Sequence, residues 1–358
     1  MKKAFLIIAV LTTGILSSNS QTMYNPNTDT HLAPTEQLVL TQEWDKVFPK
    51  STEVDHFKVT FVNRYGISLA ADMYISKGAE GKLPAIAVSG PFGAVKEQSS
   101  GLYAIRLAEC GFITLAFDPS FTGESGGRPR RVASPDINTE DFSAAVDFLS
   151  VHPLVDAGRI GILGICGWGG IAIDAAINDP RIKATVASTM YDMTRVTANG
   201  YFDADNSKAK RNAARAALAE RRTEDFRSGE YQRAGGVVDP LPDDAPQFVK
   251  AYYDYYKTPR GFHARSGNST DGWNSTSALP FMNFKFFEYA DELESAVLIV
   301  HGEKAHSRYF GEDTFKLLRG DNKELLIIPG ADHCDLYDRL DKIPMEKIAA
   351  FFNTWMRD

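Results

Sequence analysis

The 358-residue sequence predicts an α/β fold: a mostly parallel eight-stranded sheet with helices on both faces, interrupted by a helical insertion of about a hundred residues. Three observations predict it. Short apolar runs alternate with segments of helical period, which is the pattern of strands buried on both faces. The first strand-forming stretch has the period of two that marks an antiparallel hairpin. The strand–helix alternation stops after Asp192 and resumes at Ala296.

The chain opens on Met1-Lys2-Lys3, an apolar run from Ala4 to Leu16, and small polar residues including Ser17, Ser18 and Ser20. This predicts a secretory signal peptide over 1–20, cut near Ser20/Gln21, and hence export to the periplasm or beyond. The apolar run is short for a bilayer span, and no cysteine stands near the cut to carry a lipid, so no stable membrane anchor is expected. Residues 21–55 are polar with Asn-Pro, Ala-Pro and Phe-Pro steps, and read as a linker with a short helix laid on the surface. From His56 the residues Phe57, Val59 and Phe61, the turn Asn63-Arg64-Tyr65-Gly66, and Ile67, Leu69, Ala71, Met73 and Ile75 form the hairpin.

Strands are then expected at 84–88, 112–117, 159–163 and 182–188, with helices at 100–110, 139–152 and 168–178 between them. The core thus covers 56–192 and 292–358, and 193–291 forms a cap (lid) insertion with an Ala-rich helix over 208–222 and an aromatic tract. Strands at 296–300 and 324–328, a helix near 313–318 and a closing helix over 344–356 complete the core.

Composition excludes several classes. With 44% hydrophobic and 24% charged residues and a net charge of −7, the chain has no basic excess to hold a phosphate backbone, so no nucleic acid is expected as partner. Arg211, Arg215, Arg221 and Arg222 are surrounded by Asp203, Asp205, Glu220, Glu224 and Asp225, the pattern of a solvated helix face. No cluster with metal-ligand spacing is present and no cofactor is expected; the partner is a small-molecule substrate.

Chemistry concentrates at Gly164-Ile165-Cys166-Gly167-Trp168-Gly169-Gly170, between a strand and a helix. A sharp strand-to-helix turn needs small neighbours so that the apex residue can hold a strained backbone and present its side chain. Cys166 stands where the serine of G-x-S-x-G would stand, and a helix N-terminus favours its thiolate. Trp168 replaces the second glycine, which makes the elbow looser by one residue. Two other readings stand beside this one. Gly167-x-Gly169-x-x-Ala172 with Asp192 about 20 residues on fits a dinucleotide fingerprint, although it follows several strands rather than the first. Cys166 could instead be a buried structural thiol or pair with Cys334; with three cysteines, Cys110 included, at least one thiol is free.

His333, on the loop after the last strand, is the candidate general base, and follows the nucleophile in the expected chain order. The supporting carboxylate is missing from its usual place, where Ala305 stands; Glu303 on the same loop is the nearest substitute and Asp192 the runner-up. His306 reads as a solvated histidine that could face the cleft. An oxyanion requires backbone N–H groups: Gly167 supplies one, and Phe92 the other, because Pro91 has none to give.

Gly90-Pro-Phe-Gly-Ala-Val-Lys-Glu-Gln98, Asp118-Pro-Ser-Phe-Thr-Gly-Glu-Ser-Gly-Gly127, the Gly-Ile-Cys-Gly elbow and Gly-Ala-Asp-His-Cys-Asp-Leu-Tyr337 together resemble the α/β-hydrolase superfamily, near its dienelactone-hydrolase-like branch, and most of all a group of bacterial hydrolases of uncertain substrate. The resemblance runs from about residue 56 to the C-terminus. It implies cofactor-free cleavage of an ester, thioester or lactone, here through an acyl-cysteine intermediate. A peptidase or amidase on the same scaffold, and an exported binding protein with a decayed site, are the alternatives.

Overall fold

The computed structural model describes residues 36–357. The leader, its cut site and the first part of the 21–55 segment lie outside them. Residues 36–53 run without a helix, and the rest of the segment for which a short helix is expected lies outside the described residues. The segment is held by tertiary partners instead: Val47 N donates to Glu97 O at 3.0 Å, Lys46 pairs with the buried Asp72 at 2.7 Å, and Phe48 is buried in the core.

The eight-stranded sheet is present, in the order β1-β2-β4-β3-β5-β6-β7-β8. Its strands are β1 (Val54–Val62), β2 (Ser68–Ser76), β3 (Leu83–Ser89), β4 (Ile113–Phe117), β5 (Val155–Ile165), β6 (Ile182–Ser188), β7 (Ala296–Gly302) and β8 (Lys323–Ile328). β1 and β2 form the antiparallel hairpin, registered from Val54↔Ser76 to Val62↔Ser68. Its turn is closed by Asn63, whose Oδ1 accepts from the N–H groups of Tyr65 and Ile67, both at 3.0 Å, while Gly66 takes φ 78°. β2 meets β4 antiparallel, and every later pairing is parallel.

The helices are α1 (Ser99–Glu109), α2 (Pro135–Val151), α3 (Gly167–Asn178), α4 (Met193–Asn199), α5 (Lys208–Ser228), α6 (Gln247–Tyr256), α7 (Gly267–Thr270), α8 (Ala278–Asn283), α9 (Arg308–Leu317), α10 (Asp335–Asp338) and α11 (Met345–Trp355). Strand side chains alternate between two cores. Ile86, Val88, Leu163 and Val300 pack with α1 and α11, whereas Ala85, Ala87, Ile162 and Ile299 pack with α2 and α3. Burial on both faces is why these strands read as continuous apolar runs. Between β6 and β7 the chain forms α4 to α8 and short turns; α5 buries only Asp225, as expected of a solvated helix.

Candidate active site

The β5–α3 turn places Cys166 at its apex with φ 60° and ψ −128°, a conformation that costs a non-glycine residue about 1–3 kcal/mol. Close packing holds it there. A Cβ on Gly164 would lie 2.0 Å from Trp168 O, one on Gly167 2.9 Å from Phe92 Cβ, and one on Gly170 2.2 Å from Tyr191 O. Trp168, the departure from the usual elbow, is 1% exposed and turned into the core, edge-on to Phe142 and Phe117 at centroid distances of 5.5 and 6.0 Å. It fits because Gly90 has no side chain: a Cβ there would meet Trp168 Cβ at 2.8 Å. The same crowding disposes of the dinucleotide reading, since Gly167 and Gly169 pack against Met193 and Met190 and leave no room for a pyrophosphate.

Four polar groups surround the Cys166 sulfur: the backbone N–H groups of Phe92 and Gly167, which donate, and the hydroxyls of Tyr337 and Tyr252. Both expected oxyanion donors therefore converge on the expected nucleophile. The thiol is nevertheless pushed up from its ordinary value, because burial outweighs these hydrogen bonds. Cys110, Cys166 and Cys334 are all free thiols, and Cys166 and Cys334 are both buried.

His333 is buried, and every ring contact it makes through nitrogen is to a hydroxyl. Nδ1 lies 2.8 Å from Thr189 Oγ1 and 2.7 Å from Ser307 Oγ, and Nε2 lies 3.0 Å from Tyr337 Oη. Burial, reinforced by His306 and His301, holds its pKa well below the ordinary histidine value, so the ring is neutral and free to accept a proton.

The structure does not bring either expected carboxylate to this ring. Glu303 turns back on the β8 loop, where Oε2 accepts from Gly330 N at 2.8 Å. Asp192 caps α4, accepting from Thr194 N at 3.0 Å and Arg195 N at 2.9 Å. Thr189 and Ser307 occupy the supporting position instead, one from the end of β6 and one just before α9. Sequence reasoning missed both, along with Tyr252 and Tyr337. Tyr337 had a signal, since it closes the motif that carries His333; hydroxyls on two separated loops had none. His306 is half-buried rather than a freely solvated histidine: it stacks on Phe248 at 4.5 Å, bonds the Tyr191 hydroxyl, and is pushed down to about 4 by burial.

Cys166 opens on a cavity of about 460 Å³ between the C-terminal ends of the inner strands and the 193–291 segment. Among the described residues its walls carry no charged side chain. Aromatic and apolar groups dominate, with Phe92, Tyr191, Met193, Tyr252, Tyr256 and Trp273 nearest the chemistry.

Behind Phe92 lies a buried ionic network that explains two of the sequence motifs. Lys96 Nζ stands among Glu97, Asp118 and Glu124 at 2.7, 2.8 and 2.6 Å, and Lys96 N donates to Asp118 Oδ1 at 2.8 Å. Burial alone would lower this ammonium, but Asp118 and Glu97 outweigh it and hold Lys96 well above the ordinary range. Lys58 reaches Glu97 and Glu124 at 3.4 and 2.9 Å, and Arg265 reaches Glu97 at 2.8 Å. The three carboxylates lie within 4.8 Å of one another, the spacing of a cation site, and Lys96 supplies the positive charge there. The network ties the 90–98 loop to the 118–127 loop and so fixes the Phe92 N–H.

Known proteins agree with this architecture. The uncharacterized protein PA2218 of Pseudomonas aeruginosa is 56% identical over 321 residues, covering 88% of this chain and 85% of its own. Its crystal structure superposes with a TM-score of 0.87 over 89% of this chain and 99% of that one. The α/β hydrolase GrgF from Penicillium is 19% identical with a TM-score of 0.68, covering 84% of this chain and 99% of that one, which shows the shared fold. A thiohydrolase of Aspergillus aculeatus, aneE, is 33% identical over 135 residues, 38% of this chain and 42% of its own. The profile of the family described as X-Pro dipeptidyl-peptidase (S15 family) matches residues 65–334, well over half of the sequence, and the chain belongs to that family, as a hydrolase of the α/β class.

Proposed function

We propose that the protein hydrolyses neutral thioesters and esters with an apolar or aromatic acyl group, through an acyl-cysteine intermediate on Cys166. The observation that carries this reading is Cys166 at the apex of a strained turn, its sulfur facing two backbone N–H groups and opening on a charge-free cavity. His333 takes the thiol proton, and the sulfur attacks the carbonyl carbon. The Phe92 and Gly167 N–H groups hold the resulting oxyanion. Collapse breaks the bond to the leaving thiol or alcohol, which departs with the proton from His333. Water activated by the same histidine then adds to the acyl-enzyme, and breaking the carbon–sulfur bond releases the acid and restores the thiol.

Two further observations support thioesters over peptides. A related fungal protein is named a thiohydrolase. Cleavage of X-Pro dipeptides needs a group to hold the substrate's α-ammonium, and no acidic side chain lines this cavity among the described residues. The 193–291 segment acts as the cap that closes the acyl site, and the 1–20 leader directs export; N-terminal sequencing of exported protein should then begin at Gln21.

The test is a panel of chromogenic thioesters and esters of graded acyl length, beside X-Pro anilides, with wild type and Cys166→Ala. Thioester turnover, a covalent acyl adduct on Cys166 by mass spectrometry and silence of Cys166→Ala are expected. Full activity in Cys166→Ala, or turnover of the anilides alone, would overturn the reading.

A further inference from the structure

We propose that Tyr337 carries the proton between Cys166 and His333, so that the two residues exchange it through a tyrosine hydroxyl. The proposal rests on the acyl-cysteine reading above. Its ground is geometric: the Tyr337 hydroxyl bonds His333 Nε2 at 3.0 Å, and Tyr337 lines the same cavity wall as Cys166, with its hydroxyl toward the thiol. One oxygen thus faces both reacting groups. His333 stands on the turn just before the one-turn helix α10 and Tyr337 within it, and the turn brings the ring nitrogen to the hydroxyl. The tyrosine ring is clamped by Tyr255 and Tyr256, at centroid distances of 4.9 and 6.2 Å, and is fully buried.

The direction of transfer follows from the other ring nitrogen. The proposal puts the ring hydrogen on Nδ1, where either of two hydroxyls can accept it, and so makes Nε2 the acceptor toward Tyr337. As the sulfur attacks, the thiol proton passes to Tyr337 Oη while the proton already on Oη passes to Nε2. Tyrosine ends as it began, the sulfur has lost one proton and the imidazole has gained one. On collapse the reverse shift delivers the proton to the leaving sulfur or oxygen. Burial keeps the phenol protonated, so both protons move in one step and no tyrosinate accumulates.

Tyr337→Phe removes the oxygen and keeps the ring. With a thioester substrate we expect kcat to fall about 100-fold, within the usual range for a proton-transfer group, with KM little changed. The loss should shrink as pH rises and hydroxide forms the thiolate directly. In mixtures of light and heavy water, wild-type kcat should curve with deuterium fraction, as two moving protons require, and the variant should not.

Alkylation of Cys166 by iodoacetamide gives a readout that needs no substrate. At neutral pH the variant should alkylate about tenfold more slowly than wild type, and at high pH equally fast, which also shows that the fold and thiol are intact. Equal alkylation at neutral pH, or a kcat loss with an unshifted pH profile and an unchanged isotope curve, would reduce Tyr337 to a packing role and overturn the proposal. Inactivity of wild type toward every thioester would instead sink the acyl-cysteine reading, while the alkylation comparison still decides the role of Tyr337.

Discussion

Lys96→Met should destabilise the protein, and by more at high pH than at low. Lys96 is fully buried, and its ammonium meets three carboxylates that are themselves at most 3% exposed. Methionine nearly preserves the length and removes the charge. Glu97 keeps Lys58 and Arg265, and Glu124 keeps Lys58. Asp118 loses the ammonium that pairs with it at 2.8 Å and retains backbone donors from Lys96 and Glu124. Removing one partner of a buried ion pair costs about 3–5 kcal/mol. The strain can be relieved only if a carboxylate, chiefly Asp118, takes up a proton.

The sign follows. In wild type Glu97 is driven down to about 2, burial opposing and Lys96 outweighing it, so its stabilisation is present above the ordinary carboxylate value and is lost as pH falls toward 2. Asp118 is the opposite case: in wild type burial already outweighs Lys96 and raises its pKa, and removing the ammonium raises it further. That stability is present at low pH and is lost as pH rises through the folded value. One proton taken up on folding gives a slope of about 1.4 kcal/mol per pH unit, so three units account for roughly 4 kcal/mol, in line with the cost of breaking the pair. Urea midpoints followed by tryptophan fluorescence at about pH 5 and about pH 8 measure this. The variant should lie close to wild type at the lower pH and about 3–5 kcal/mol below it at the higher. A gap under about 1 kcal/mol, or one that does not narrow toward pH 5, would refute the reasoning.

Three further outcomes follow from the site. Glu303→Gln should leave kcat within about twofold of wild type, because Glu303 bonds the Gly330 N–H and not His333; a loss of a hundredfold in ester turnover would restore it to the site. Thr189→Val and Ser307→Ala should each lower kcat about tenfold at unchanged KM, the worth of one hydrogen bond that orients His333, and the double variant should lose more than either; steady-state kinetics on one thioester decides it. Because burial keeps the His333 pKa well below 6.5, kcat/KM should show no acid limb near that pH, and a bell centred there would contradict the buried, carboxylate-free ring.

The sheet was legible because its physics is local: burial on both faces imposes runs such as Ala296–Val300, and the alternation at Phe57, Val59 and Phe61 marks the hairpin. Cys166, His333, Phe92 and Gly167 were legible for a related reason, since each stands at a fixed offset from a strand end or a turn. The support of His333 was not. It depends on which side chains from separate loops reach one nitrogen, and the sequence near the end of β7 offered a carboxylate, Glu303, that the backbone aims at the next loop. The residue that reaches inward is Ser307, four places on, because the chain turns at Ala305 before α9 begins. Lys96, Glu97, Asp118 and Glu124 were visible as motifs without a purpose, because an ion network spanning two loops has no sequence period to betray it.

On the acyl-cysteine reading proposed above, a histidine whose ring nitrogens bond hydroxyls constrains what its nucleophile can be. A neighbouring carboxylate stabilises the imidazolium that forms when a serine proton is taken; Thr189 and Ser307 orient the ring but carry no charge to offset that cation. A thiol is far more acidic than an alcohol and attacks with a less basic anion, so it asks less of the base. Cys166→Ser should therefore be almost inactive even though it keeps the elbow and both oxyanion donors. Adding Ser307→Asp should recover part of the loss, by about tenfold or more in kcat, because it places a negative charge at the Nδ1 position that Ser307 now holds at 2.7 Å. The same Ser307→Asp change on the Cys166 enzyme should gain little, since the thiol does not need the stronger base. If Ser307→Asp helps the cysteine enzyme as much as the serine one, the hydroxyl seat is not what matches this site to a thiol, and the link drawn between Ala305, Ser307 and Cys166 fails.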